Sequence, residues 1–72
     1  MYVFEKLEEH LRYAKAYSGQ SEFSSRLYLG RAKSLMELKG DELAERDIER
    51  FARLNAEMNN LEGRLNGNYR SQ

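Results

Sequence analysis

The sequence predicts a small all-α domain of three helices, and three features of the chain support this class. Proline is absent, and Leu, Glu, Arg and Ala are abundant, which favours helix over sheet. Apolar residues recur at three- and four-residue steps, as they do along one face of a helix. Two short segments that contain Ser, Gly and Asp interrupt this pattern. We therefore expect helices at about residues 2–17, 22–39 and 42–66.

The first predicted helix, residues 2–17, is amphipathic. Its apolar face is formed by Phe4, Leu7, Leu11 and Ala14. Glutamates in its first turns suit the positive N-terminal end of the helix dipole. Residues 18–21 then interrupt the periodicity, and Ser21 is a good N-cap for the helix that follows.

The second predicted helix, residues 22–39, has an unusually broad apolar surface. One apolar side consists of Phe23, Leu27, Leu35 and Leu38. This side is widened by Tyr28, Leu29, Ala32 and Met36. Because so broad an arc exceeds what one neighbouring helix can cover, we expect this helix to lie at the centre of the domain.

Gly40 and Asp41 predict the second break, with Gly40 ending one helix and Asp41 capping the next. A glycine inside a helix costs only about 1 kcal/mol, so the second and third helices could instead run on as one. That alternative is a two-helix hairpin. It would need dimerisation to bury the broad apolar surface of residues 23–38.

The third predicted helix, residues 42–66, carries a short heptad pattern. We interpret the positions of this pattern as the seam of a homodimer, formed by Phe51, Leu54, Met58, Leu61 and Leu65. The outer side of the second helix is expected to contribute to the same dimer. Asparagine and glycine weaken the last turns of this helix. The chain is thus predicted to form a single domain, residues 1–66, followed by a disordered tail, residues 67–72.

Composition excludes several kinds of site. The 12 basic and 12 acidic residues leave no net charge, whereas a nucleic-acid-binding domain is usually basic. The absence of cysteine excludes disulfides and thiolate metal sites, and the single histidine, His10, cannot form a histidine metal site alone. We expect no metal and no cofactor. Uncharged stretches are too short to span a bilayer and the first residues do not resemble a signal peptide, so a cytoplasmic location is predicted.

The sequence contains no motif that indicates catalysis. It lacks a glycine-rich phosphate loop, a glycine-flanked serine nucleophile and a paired-histidine zinc motif. His10 is the only side chain whose unperturbed pKa lies near neutrality. It falls at the edge of an apolar arc, where packing is the simpler interpretation of its role. We therefore expect that the chain is not an enzyme.

Binding to another protein is the class of function that the residues favour. Five tyrosines and three phenylalanines are many for 72 residues, and tyrosine and methionine are enriched at interfaces. Residues at the margins of the apolar arcs are predicted to contact a partner: Tyr13, Tyr17, Tyr28, Leu29 and Met36, rimmed by Arg26, Arg31 and Arg50. We expect a homodimeric module that acts stoichiometrically as regulator, adaptor or inhibitor of a larger protein. Its small size is typical of phage or mobile-element accessory proteins.

The alternative function is nucleic-acid binding by a helix-turn-helix unit that uses the second helix. Residues 21–40 contain four basic and two acidic side chains, a local net charge of +2. Residues 41–60 contain six acidic and three basic side chains, a net charge of −3. Attraction between these two segments within the fold is the simpler explanation, so nucleic acid is not the expected partner.

Overall fold

The computed structural model describes the backbone of residues 2–70 and the side chains as far as residue 67. It contains three α-helices: α1 (Val3–Tyr17), α2 (Glu22–Arg46) and α3 (Ile48–Arg70). No β-strand occurs in this part of the chain. The predicted all-α, three-helix class is therefore confirmed, in a bundle that measures 40 × 17 × 17 Å.

The helices run up, down and up along the long axis of the bundle. Short connections, residues 18–21 and Asp47, join consecutive helices, which run antiparallel. The contacts show this direction: Ser25 near the start of α2 bonds to Ala14 near the end of α1, and Arg26 and Lys33 reach Leu65 and Glu62 of α3 in reverse order. The first and third helices are parallel. Two ion pairs show this direction, because both join residues that are 42 apart in sequence: Glu8 with Arg50, and Lys15 with Glu57.

The break between α2 and α3 lies at Asp47, so the predicted break at Gly40–Asp41 is wrong. The helix continues through Gly40, where a β-carbon would lie 3.8 Å from ring carbons of Phe51. At Asp47 the backbone is extended, with φ −158° and ψ 89°. The Arg50 amide donates a hydrogen bond to Asp47 Oδ1 at 3.1 Å, so Asp47 caps α3. The two helices are therefore not one continuous rod.

The last helix is longer than predicted. The sequence indicates an end near residue 66, whereas α3 continues to Arg70. Of the predicted disordered tail, residues 67–72, the final two residues lie outside the described part of the chain.

Only part of the predicted apolar surface of α2 enters the core. Its buried residues are Ser25, Leu29, Ala32, Met36 and Leu43. Phe23, Leu27 and Leu38, which belong to the predicted apolar side, are exposed. The helix thus has two apolar sides, and α1 and α3 cover only one of them. The covered side includes small residues, which allow neighbouring helices to approach closely.

The heptad positions of α3 pack inside the chain itself. Leu54, Met58, Leu61 and Leu65 are buried in one cluster with the apolar faces of α1 and α2. Phe51 is partly buried against the same cluster. Because the chain's own helices cover these side chains, they do not form an exposed dimer seam, and the predicted seam is wrong. The predicted apolar face of α1, by contrast, is confirmed, since Phe4, Leu7, Leu11 and Ala14 are all buried.

Candidate interaction surface

The outer face of α2 carries a row of residues that the rest of the chain leaves uncovered. We call this row the α2 stripe; it consists of Phe23, Leu27, Gly30, Ser34 and Leu38. At 3.6 residues per turn, these positions fall within an arc of about 80°, opposite the buried side. Phe23 and Leu38 are each 79% exposed and Leu27 is 44% exposed. Large apolar side chains therefore face solvent along four turns of one helix.

The middle of the α2 stripe is a shallow depression. Gly30 has no side chain and Ser34 has a short one, whereas Leu27 and Leu38 stand on either side. A β-carbon placed at Gly30 would meet no atom within 4 Å, so the depression is open to solvent. Its edges are formed by Arg26, Arg31 and Leu35. Small central residues let a second backbone come close to this face.

Three tyrosines lie together beside the stripe, where α1 packs against α2. The Tyr17 and Tyr28 rings are stacked, with centroids 5.8 Å apart and an interplanar angle of 4°. The Tyr13 ring centroid lies 5.2 Å from that of Tyr28, and Tyr13 is 41% exposed. We call Tyr13, Tyr17 and Tyr28 the tyrosine cluster. The structure thus brings together three of the predicted interface residues.

Arginines mark the two edges of the α2 stripe. On the side of α1, the guanidinium carbon of Arg31 lies 5.5 Å from the centroid of Tyr28, within cation–π range. Arg31 also lines the central depression, so it joins the tyrosine cluster to the stripe. On the side of α3, Arg26 pairs with Glu22 at 2.9 Å and donates a hydrogen bond to the Leu65 carbonyl oxygen at 3.4 Å. Two of the three predicted arginines, Arg26 and Arg31, therefore border this surface.

Three other predicted interface residues do not lie on it. Leu29 and Met36 are buried in the core, so a partner cannot reach them without unfolding the chain. Arg50 lies on α3, where it pairs with Glu8 of α1. The sequence places Leu29 and Met36 at the margin of an apolar arc, but their side of α2 is the one that the other helices cover.

The structure exposes Phe23, Leu27 and Leu38, which the sequence pattern had placed on the apolar side facing the core. A signal for their exposure exists farther along the helix. At helical spacing, Asp41 and Glu45 continue the row beyond Leu38, and both are exposed acidic residues. An apolar row that continues into carboxylates indicates the solvent side of a helix. The signal can be recognised only once α2 is known to extend past Gly40.

His10 lies at the edge of the tyrosine cluster. Its ring centroid is 6.2 Å from that of Tyr28. Its Nδ1 atom is buried and has no hydrogen-bond partner among the described residues. Burial lowers the pKa of His10 below its usual value, and the positive charge of Arg31 lowers it further. The neutral imidazole is therefore the form that the fold favours.

Two kinds of feature are absent from the described residues. No three histidine, aspartate or glutamate side chains converge there as a metal-binding group. Among the three helices over residues 2–70, none has an apolar stretch long enough to cross a lipid bilayer.

Comparison with known proteins gives no relative. No protein family, curated protein or solved structure matches the chain. The function is therefore inferred from the α2 stripe and the tyrosine cluster themselves.

Proposed function

We propose that this chain is a cytoplasmic protein–protein interaction module that acts stoichiometrically, as regulator, adaptor or inhibitor of a larger protein. The observation that carries the proposal is the α2 stripe, with Phe23 and Leu38 each 79% exposed. Burying a single Leu or Phe side chain is worth about 1.5–3 kcal/mol. Three such side chains exposed to water on one face, Phe23, Leu27 and Leu38, therefore favour association, and exposed apolar patches mark binding sites.

The tyrosine cluster supports a protein partner. Tyrosine combines a large apolar ring with a polar hydroxyl, and tyrosine and arginine are enriched among the residues that dominate binding energy. Tyr17 and Tyr28 are already stacked, and Arg31 is already placed against Tyr28. Because these side chains are ordered before binding, less conformational entropy is lost when a partner docks.

The same geometry gives less support to nucleic-acid binding by α2. A recognition helix presents its N-terminal part to base edges and phosphates. In α2 the outward positions of that part are Phe23 and Leu27, which are apolar. Arg26 is engaged with Glu22 and Arg31 lies against Tyr28. An apolar surface bordered by engaged arginines suits a protein more than a polyanion.

Capture of a partner by the tagged chain, from cells that produce it and after nuclease treatment, tests the proposal. We expect a larger protein at near-stoichiometric amount, lost with Leu38→Glu and weakened with Tyr13→Ala. Tyr2→Ala is the matched control, because Tyr2 is an exposed tyrosine outside the cluster. Circular dichroism should show unchanged helicity in all three variants. Recovery of nucleic acid alone, or binding that neither Leu38→Glu nor Tyr13→Ala weakens, would contradict the proposal.

A further inference from the structure

We propose that a second copy of this chain covers the α2 stripe, with the two α2 helices antiparallel and related by a two-fold axis near Gly30. This inference rests on the proposed function and names the first partner of its surface. Phe23 of one copy would lie opposite Leu38 of the other, and Leu27 opposite Ser34. The stripe is self-complementary in this direction, because its large residues flank small central ones. An isologous contact of this kind is the commonest way in which chains form closed dimers.

The size pattern of the stripe fits two α2 helices that cross closely at their middles. Gly30 would lie next to the axis, where the two backbones approach most closely. Apart from Gly30, its two neighbours in the chain and the adjacent backbone of α2, no atom of the described residues lies within 4 Å of the position that a β-carbon would take there. Away from the axis, Phe23 and Leu38 would extend the contact on both sides. Both side chains are 79% exposed in the single chain and would become buried in the dimer.

Charge selects the antiparallel direction over the parallel one. Arg26 and Glu37 lie on the same flank of the stripe, the flank that faces α3, at about 60–80° from its centre line. A two-fold axis across antiparallel helices brings equal flanks together, so Arg26 of each copy, which also pairs with its own Glu22, would face Glu37 of the other. In a parallel pair, opposite flanks meet. In register, Arg26 would then be nearest Arg31 and Glu37 nearest Glu42, each about 7.5 Å apart along the axis, so the parallel direction offers no close pair of opposite charges.

Two kinds of contact between like charges remain in the antiparallel dimer. Lys33 lies on the same flank as Arg26, about two residues along the axis from Arg26 of the other copy, and it is paired with Glu62 of its own chain at 2.6 Å. Arg31 lies on the α1 flank close to the axis, so it would approach Arg31 of the other copy. Its guanidinium is held over the Tyr28 ring, with 5.5 Å between the guanidinium carbon and the centroid, on the side toward α1. This placement lets the two Arg31 charges diverge from the axis, while the two Arg26–Glu37 pairs form on the opposite flank.

The antiparallel dimer would also form a larger docking surface. Because equal flanks meet, the α1 helices of both copies lie on one side of the dimer. The tyrosine cluster packs between α1 and α2, so both tyrosine clusters would face the same direction. The dimer would thereby offer a larger protein two adjacent clusters, which links self-association to the proposed function.

Sedimentation equilibrium of the purified full chain over a range of concentrations tests this arrangement. We expect a mass of 8.5 kDa at low concentration that doubles as concentration rises. Arg26→Glu and Glu37→Arg should each weaken self-association about tenfold, since attractive pairs become repulsive. An equimolar mixture of the two variants should restore wild-type association, because both contacts between the two chains then join a glutamate to an arginine. Arg64→Glu, an exposed charge reversal on α3, is the control and should have no effect.

The results separate this inference from the proposed function. A wild-type chain that stays monomeric at every concentration overturns the dimer, while a captured larger protein would still support the interaction module. If the wild-type chain dimerises but the equimolar mixture of Arg26→Glu and Glu37→Arg associates no better than either variant alone, the antiparallel pairing is overturned. Conversely, a restored dimer with no captured protein supports the inference and contradicts only the proposal of a larger target.

Discussion

Arg50 on α3 donates two hydrogen bonds to the carboxylate of Glu8 on α1, from Nε at 3.0 Å and from Nη2 at 2.9 Å. Its guanidinium carbon also lies 4.7 Å from the centroid of the buried Phe4 ring. The hydrogen bond from Arg50 holds the pKa of Glu8 below its usual value. One arginine therefore joins the two parallel helices both by a charged fork and by packing on the core.

This arrangement predicts that Arg50→Lys lowers the thermal midpoint of unfolding by a few degrees, although it keeps the positive charge. A lysine ammonium can neither form the two parallel hydrogen bonds nor lie flat over Phe4. Arg53→Lys is the control, because Arg53 reaches Glu8 only at 3.9 Å. Melting followed by circular dichroism checks both variants. Equal midpoints for Arg50→Lys and Arg53→Lys would show that the fork does not matter.

Acidification is expected to weaken the fold in two steps. The folded pKa of His10 is below its unfolded value, so the unfolded chain takes up the proton first. The contribution of neutral His10 to the free energy of unfolding is therefore lost as pH falls below about 6.5. The folded pKa of Glu8 is also lowered, and for a carboxylate this contribution is complete above the unfolded pKa and is lost as pH falls below about 4.3.

Thermal midpoints measured from neutral to strongly acidic buffer check this order. The variant His10→Gln should lose the first step and keep the second, because glutamine does not titrate. Salt should reduce the second step more than the first, since the Glu8–Arg50 pair is partly exposed to solvent. A first step that persists unchanged in His10→Gln would contradict the role assigned to the buried imidazole.

Ser25→Ala is expected to lower the free energy of unfolding by about 1 kcal/mol. Ser25 is fully buried, and its hydroxyl donates a 2.7 Å hydrogen bond to the Ala14 carbonyl oxygen, which joins α2 to α1. Urea-induced unfolding measures the change. Ser34→Ala, on the exposed α2 stripe, is the control and should leave stability unchanged or slightly higher. A larger loss in Ser34→Ala than in Ser25→Ala would mean that the buried face of α2 is wrongly assigned.

Gly40→Ala should raise the free energy of unfolding by about 0.5–1 kcal/mol. Gly40 lies inside α2 without a positive φ, and a β-carbon there would make ordinary contact with Phe51 at 3.8 Å. Alanine restricts the unfolded chain and suits the helix. Urea-induced unfolding distinguishes the two positions of the break, because a glycine that ended the helix in a left-handed conformation would be destabilised by alanine.

Local sequence pattern predicts α1 and the start of α2 well. The apolar residues of α1 lie on one narrow face, so only one packing direction buries them. Ser21 caps α2 as predicted, with the Ser24 amide donating to its Oγ at 3.2 Å. In both cases the deciding interactions are close in sequence.

Pattern alone could not decide the buried side of α2 or the position of its end. Phe23 and Leu38 on one side and Leu29 and Met36 on the other are equally apolar, and the choice depends on packing against α1 and α3. Asp41 and Asp47 are both suitable caps. The helix extends to the second because Leu43, which lies between them, is buried in the core. The sequence therefore named the residues of the tyrosine cluster as interface residues, but it did not name those of the α2 stripe.

Photochemical cross-linking from the α2 stripe tests whether the outer face of α2 is an interaction surface. Leu38 is replaced by benzoylphenylalanine in the full chain, and the cells that produce this variant are irradiated. The same replacement at Ala52, an exposed position on α3, is the control. We expect a discrete covalent product with a protein, either a second copy or a larger partner, from position 38 and none from position 52. Absence of a product at 38, or identical products from both positions, would contradict the claim that the outer face of α2 is an interaction surface.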